Sequence, residues 1–333
     1  MEIPKTGNWM ERVFAIKNDR DFESIALEAY QFQYNNNNIY NSYNKVLNKS
    51  PRTVRQLTDI PFLPISFFKT HKVVSTSFVP ELIFKSSGTT GAFTSTHFVK
   101  DAHVYKESFL KCFRHFYGDP TDYCIIGLLP SYLERVDSSL VYMVQYLIER
   151  SGHPNSGFYL SDFEKLAQTI QQQQTKKEKL LLIGVTFALL DFARAYPVKL
   201  ENAIVMETGG MKGRKKEMIR EELYRELKTA FGVPEIHSEY GMTELLSQGY
   251  SIDGHLSIPK WMKIYLRDET DPLTLQPPQL NSSGAINIID LANLYSCCFL
   301  ATDDMGRTGP DGSFEILGRL DNSDIRGCSQ LVT

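Results

Sequence analysis

The chain has 333 residues, 42% of them hydrophobic, which is enough for large buried cores and too much for a disordered chain. A formal net charge of −3 leaves no basic excess for nucleic-acid binding, and no apolar run is long enough to cross a bilayer, so a soluble protein without nucleic-acid partners is expected. The opening Met1-Glu2-Ile3-Pro4-Lys5 lacks the layout of a secretory leader, and Cys112, Cys124, Cys297, Cys298 and Cys328 form neither a paired framework nor a C-x-x-C, which points to a reducing cytoplasm and away from a zinc site.

In chain order, residues to about Leu57 read as helical, with the polar run Asn35 to Asn38 expected as a solvated loop. The apolar Leu82-Ile83-Phe84 leads into Ser86-Ser87-Gly88-Thr89-Thr90-Gly91. Strand-like Tyr123 to Leu129 precedes Pro130, and Ser138 is placed to cap a helix with Leu140, Val141, Val144, Leu147 and Ile148 at helical spacing. Gln171 to Lys179 reads as the polar end of a helix followed by a solvated loop. Strand and helix then alternate: Leu180 to Val185 with Phe187 to Tyr196, and Ala203 to Thr208 with Arg214 to Phe231. The last helix lines up Met218, Ile219, Leu223 and Leu227 and ends at Gly232.

This alternation predicts an α/β protein whose helices wrap a mostly parallel sheet, with ligands at the C-terminal ends of strands, where Gly209 and Gly210 fall. After Ser257, Lys263 to Leu266, Gly284 to Ile289 and Phe314 to Leu317 read as short strands of a small β-rich subdomain, about residues 257–320.

The hydroxyl- and glycine-rich run at Ser86 to Gly91 suits a phosphate-cradling loop, because glycines turn several backbone N–H groups toward one anion and the hydroxyls add neutral donors. It is not the common P-loop, which would need Gly and Lys where Phe93 and Thr94 stand. Downstream, Tyr240-Gly241-Met242-Thr243-Glu244 combines an aromatic face, a flexible glycine, a hydroxyl and a carboxylate. Thr302-Asp303-Asp304-Met305-Gly306-Arg307 supplies carboxylates able to accept from ribose hydroxyls, and Gly318-Arg319-Leu320-Asp321 adds a guanidinium.

Taken together and in this order, the four motifs resemble S-[ST]-G-T-T-G, Y-G-x-T-E, T-G-D-x-G-R and G-R-x-D of the adenylate-forming superfamily of acyl- and aryl-CoA ligases and luciferases. Asp59 to Pro64 leading to Phe68-Lys69, the Gly209-Gly210-Met211-Lys212 loop, and Ser323-Asp324-Ile325-Arg326-Gly327-Cys328 are similar to the LuxE-like acyl-protein synthetases of bacterial bioluminescence, relatives of the phenylacetate-CoA ligases. Two departures stand out: T-G-D reads Thr302-Asp303-Asp304, and no Pro-Lys follows the Gly-rich loop.

The resemblance implies an adenylate-forming large domain over residues 1–320, with 321–333 as a hinge and short cysteine-bearing tail in place of the family's usual C-terminal domain. It implies ATP and Mg²⁺ as cofactors, with Ser86, Ser87, Gly88, Thr89, Thr90 and Gly91 on the phosphates, Thr243 at the α-phosphate and Glu244 on the metal. Tyr240 and Gly241, with Gly209 and Gly210, would pack on adenine, Asp304 would hold ribose, and Arg319 would approach the same nucleotide. It further implies that Cys328 accepts the acyl group and passes it to a partner, an acyl reductase or acyltransferase. Neighbouring Arg326 and Arg319 would favour its thiolate.

Lys212 is a candidate replacement for the C-terminal lysine that contacts the adenylate in CoA ligases; the alternative is a solvated cluster with Lys215 and Lys216. His237 either lines an acyl pocket or is a hydrogen-bonded structural histidine. Cys297 and Cys298 read as packing residues within a strand, and His97 carries no signal that assigns it a role. Three functions fit: an ATP-dependent acyl-protein synthetase acting on a carboxylic, expectedly fatty, acid; an acyl- or aryl-CoA ligase; and a non-catalytic nucleotide-binding subunit.

Overall fold

The computed structural model describes residues 6–86, 94–129, 137–160, 162–176, 178–208, 219–268, 271, 273–276, 282–309 and 313–319. Three helices open the chain: α1 (Thr6–Phe14), α2 (Asp19–Asn36) and α3 (Asn38–Val46). Asn18 caps α2 by accepting from the Asp21 N–H, and Asp19 and Asp21 place negative charge against the positive end of the helix dipole. The expected solvated loop at Asn35 to Asn38 is not there. Asn35 and Asn36 complete α2, and Asn37 breaks the helix with an extended backbone and caps α3 through its side chain. Asn37 is 1% exposed and donates from Nδ2 to the Ser296 carbonyl at 2.9 Å, so its polarity serves a buried joint.

Next come β1 (Leu63–Pro64), the single turn α4 (Phe67–Thr70), and the antiparallel pair β2 (Leu82–Lys85) and β3 (Thr96–Val99). The alternating region follows as α5 (Ala102–Tyr117), β4 (Tyr123–Leu128), α6 (Ser139–Ser151), β5 (Gly157–Phe158), α7 (Phe163–Lys176), β6 (Lys179–Val185), α8 (Thr186–Ala195), β7 (Ala203–Thr208) and α9 (Arg220–Phe231). Ser138 caps α6 as its position predicts, and Gly152 and Gly232, both left-handed, end α6 and α9.

Two expectations here need correction. Ile219 has an extended backbone at the N-cap of α9 and is 65% exposed, so it is not on that helix's buried stripe; Met218 lies outside the described residues. Gln171 to Gln174 lie within α7 as expected, with Gln173 fully buried, but the helix runs on to Lys176 and β6 begins at Lys179, where a solvated loop from Thr175 to Lys179 is expected.

The C-terminal strands are β8 (His237–Tyr240), β9 (Gly249–Ile252), β10 (His255–Ser257), β11 (Met262–Arg267), β12 (Ser283–Asp290), β13 (Phe299–Thr308) and β14 (Phe314–Arg319). Among the described residues they join the earlier strands in one hydrogen-bonded path, β11-β12-β13-β14-β10-β9-β8-β7-β6-β4-β5. Pairing is parallel from β8 to β5 and antiparallel from β9 to β11. The buried Ile, Leu and Val of β4 and β6 suit a sheet covered on both faces. The β-rich part expected after Ser257 connects to the parallel part through Leu256 opposite Phe314.

The N-terminal helices are fastened to the turn between β12 and β13. Trp9 Nε1 donates to the Leu291 carbonyl, Gln33 Nε2 to that of Leu294 at 2.8 Å, and the Cys298 N–H to Gln33 Oε1 at 3.0 Å. Cys297 and Cys298 are buried just ahead of β13 rather than within a strand. Among the described residues no helix is long and apolar enough to cross a membrane.

Candidate functional site

At the C-terminal end of β8, Tyr240 extends its hydroxyl to Asp304 and donates to Oδ2 at 2.8 Å across 64 residues of sequence. Asp304 is paired in register with Arg319 on β14, whose Nε lies 3.7 Å from Asp304 Oδ1. The carboxylate of Asp304 is 13% exposed while the Arg319 side chain is 67% exposed, so this cation reaches from a sheltered carboxylate into solvent. Glu244 belongs to the same group: it is 5% exposed, burial holds its carboxyl above the usual carboxylate range, and hydrogen bonding by Ser95 and the charge of Arg319 draw it partly back. The folded chain thus gathers Tyr240, Glu244, Asp304 and Arg319 from three separate motifs.

Ser86 stands at the base of the hydroxyl-rich run. Its N–H donates to the Ser95 carbonyl at 3.0 Å and its Oγ accepts from the Ser95 N–H at 2.9 Å, extending the β2–β3 pairing by one rung. Ser86 therefore closes the neck from which the run departs, beside the residue that touches Glu244. Ser87, Gly88, Thr89, Thr90, Gly91, Gly209, Gly210, Lys212, Asp321 and Cys328 lie outside the described residues.

The loop from Gly241 to Gln248 has little regular structure of its own and is tied down by buried polar groups from elsewhere. His97 Nδ1 donates to the Thr243 carbonyl at 2.7 Å, and Asn293 Nδ2 to the Glu244 carbonyl at 2.7 Å. His97 Nε2 lies 3.1 Å from Asn293 Oδ1. Asp290 accepts from the Leu246 and Ser247 N–H groups at 2.8 and 3.0 Å and from the Ser247 hydroxyl at 2.6 Å. Trp261 Nε1 donates to that hydroxyl at 2.9 Å. These groups are invisible to motif reading, because no local pattern marks a lone His97 or Asn293 and their partners lie far along the chain.

Thr243 itself is held through its carbonyl. Gly241 has a steric reason to be glycine: a Cβ there would stand 2.5 Å from Glu239 Oε1. Glu239 accepts from the Thr208 hydroxyl at 2.7 Å, and burial, with the nearby charge of Glu207, pushes its carboxyl up to about 7. His237 Nδ1 lies 3.1 Å from the Tyr117 hydroxyl, and burial pushes its ring below the usual imidazole range.

Among the described residues no group of three or more His, Cys, Asp and Glu side chains is placed to hold a metal ion. A magnesium ion carried with nucleotide phosphates needs only one or two carboxylates. Glu244 offers one such carboxylate, buried beside Ser95. Cys112, Cys124, Cys297 and Cys298 are all buried, and burial pushes the Cys297 thiol up to about 12.

No protein-family model matches the chain. It is 25% identical over 329 residues to the long-chain-fatty-acid–luciferin-component ligase of Vibrio harveyi, covering 90% of this chain and 84% of that protein. The ligase of the same name from Aliivibrio fischeri is 23% identical over 343 residues, covering 92% and 86%. Among solved structures, a 2-hydroxyisobutyryl-CoA ligase in the postadenylation state superposes with a TM-score of 0.63 at 13% identity, covering 93% of this chain and 70% of that one. ATP-bound MatB from Rhodopseudomonas palustris gives 0.55 at 16% identity over 71% of this chain, which spans only 47% of that structure. The fold is that of the adenylate-forming enzymes.

Proposed function

We propose that this chain, similar in sequence to the luciferin-component ligases and folded like the adenylate-forming enzymes, is an ATP-dependent acyl-protein synthetase that activates a fatty acid and carries it on its own cysteine. The observation that carries this reading is the meeting of Tyr240, Glu244, Asp304 and Arg319 at the end of β8, beside the Ser86–Ser95 neck of the hydroxyl-rich run. A carboxylate is a poor acyl donor because its charge repels nucleophiles and oxide is a poor leaving group. Attack of a carboxylate oxygen on the ATP α-phosphorus forms acyl-AMP and releases pyrophosphate, which removes both obstacles.

In this scheme Asp304 accepts from the ribose hydroxyls while Tyr240 holds its other lone pairs in place. Arg319 offsets negative charge at the same nucleotide, and the Thr243 hydroxyl hydrogen-bonds the α-phosphate. Ser87 to Gly91 cradle the outer phosphates, Gly209 and Gly210 flank adenine, and Lys212 approaches the α-phosphate. Glu244 would hold Mg²⁺, whose charge offsets that of the phosphate oxygens when it is bound.

The Cys328 thiolate then attacks the acyl carbonyl and expels AMP, and the thioester passes to an acyl reductase or acyltransferase. Burial of the four described cysteines supports giving this step to Cys328. The second reading, an acyl-CoA ligase, draws on the fold likeness to the 2-hydroxyisobutyryl-CoA ligase.

The test is carboxylic-acid-dependent exchange of labelled pyrophosphate into ATP across a panel of acids, followed by incubation with labelled acid. Exchange driven by fatty acids, with hydroxylamine-labile label on the protein, is expected. Label appearing only on added CoA would favour the second reading, and absence of exchange with every acid would remove both.

A further inference from the structure

The pairing of β12 with β13 breaks where the site begins. Ala285 pairs with Met305 and Asn287 with Ala301, so Ile286 alone stands opposite Thr302, Asp303 and Asp304. A bulge of this kind bends one strand and redirects its side chains, and it leaves backbone groups without ladder partners. Here one side chain from the next strand over fills the gap. Arg267, the last residue of β11, is 7% exposed and donates from Nη1 to the Ile286 carbonyl at 2.7 Å and to Asn287 Oδ1 at 2.9 Å. From Nη2 it donates to the Thr302 carbonyl at 2.6 Å. The fork thus bridges both edges of the bulge, a geometry that suits a planar guanidinium and not a point charge.

Thr302 completes the joint. Its hydroxyl donates to the Ile286 carbonyl at 2.9 Å and accepts from the Asp304 N–H at 3.1 Å. The chain from Arg267 to Asp304 is therefore two hydrogen-bonded steps long. Burial weakens the charged form of Arg267, and the negative charge of Asp303 works against that loss.

We propose that Arg267 is a positioning residue for nucleotide binding, holding the bulge open so that Asp304 faces Tyr240 and the ribose. The inference rests on Asp304 being the ribose ligand. Calorimetric titration of the full chain with ATP and with 2′,3′-dideoxy-ATP tests it, because the ratio of the two dissociation constants isolates the contact with the ribose hydroxyls. The parent protein is expected to prefer ATP by about tenfold or more.

Arg267→Met is expected to reduce this preference to about threefold or less, and Arg267→Lys to fall between. A variant that binds both nucleotides less well in equal proportion, or that keeps the parent ratio, overturns the positioning role. Should Arg267→Met not fold, Thr302→Val decides in the same way: a lost preference supports the relay, and a retained one refutes it. Asp304→Ala is the control. If it keeps the preference, the ribose assignment of Asp304 has failed instead.

Discussion

His97 Nδ1 lies 2.7 Å from the carbonyl oxygen of Thr243, joining residues 146 apart in sequence at the centre of the candidate site. The imidazole is fully buried and edge-on to Phe68. Burial pushes it down to about 4, so the ring is neutral in the fold at neutral pH. In the unfolded chain it takes up a proton near 6.5. The stability contribution is therefore complete above pH 6.5 and is lost as the pH falls toward 4. Between pH 7 and 5 this one group accounts for a loss of about 2 kcal/mol. His97→Gln is expected to lose that much less over the same interval by denaturant titration, while activating the acid more slowly because the Thr243 carbonyl is released. Equal acid sensitivity in both proteins would refute the assignment.

Glu239 makes stability depend on pH in the sense opposite to an ion-paired carboxylate. Its carboxyl is pushed up to about 7 while the unfolded value is near 4.5, so stability is full below 4.5 and falls as the pH rises toward 7. Glu239→Gln should flatten the decline in Tm between pH 5 and 8. An unchanged slope would place the cause elsewhere.

Replacing Glu244 with Gln removes the hard anionic oxygen that the site offers a magnesium ion. Half-maximal pyrophosphate exchange is expected to need about tenfold more Mg²⁺, an energy of about 1.4 kcal/mol. Exchange at the parent rate under limiting Mg²⁺ would show that Glu244 has no metal role.

Asp304→Ala should raise the half-saturating ATP concentration about 10- to 100-fold, since a hydrogen bond to a charged group contributes about 1.5–3 kcal/mol. Asp303→Ala should change it less, because Asp304 and not Asp303 is the carboxylate held by Tyr240. An ATP titration that reverses this order would exchange the two roles.

Cys328→Ser should still make acyl-AMP, because adenylation uses no thiol, and should lose hydroxylamine-labile acyl label on the protein. The measurement is incubation with labelled acid and ATP, then separation of protein from small molecules. Label persisting on the variant would move the transfer step to another residue or to CoA.

Much of this molecule is written in local sequence. Ser138 and Gly232 mark the ends of helices because capping chemistry acts within one turn, and β4, β6 and β7 are evident from short apolar runs. The motifs around Tyr240, Asp304 and Arg319 are equally legible as motifs, since each is a contiguous set of residue types. Local reading fails at Asn37, where a polar residue that would suit a solvated loop is buried, and does not foresee the burial of Gln173 within its helix, because no short window contains the packing that covers them.

Sequence alone therefore determined which residues are candidates for phosphate, ribose and metal binding, and the alternating order that makes a helix-wrapped sheet. Tertiary structure decided how those residues are held. His97, Asp290 and Asn293 fasten the Thr243–Glu244 loop, and Arg267 props the bulge that turns Asp304 toward Tyr240. The physical reason is that buried backbone groups in a loop or bulge must find hydrogen-bond partners, and a folded chain can supply them from any distance along its sequence.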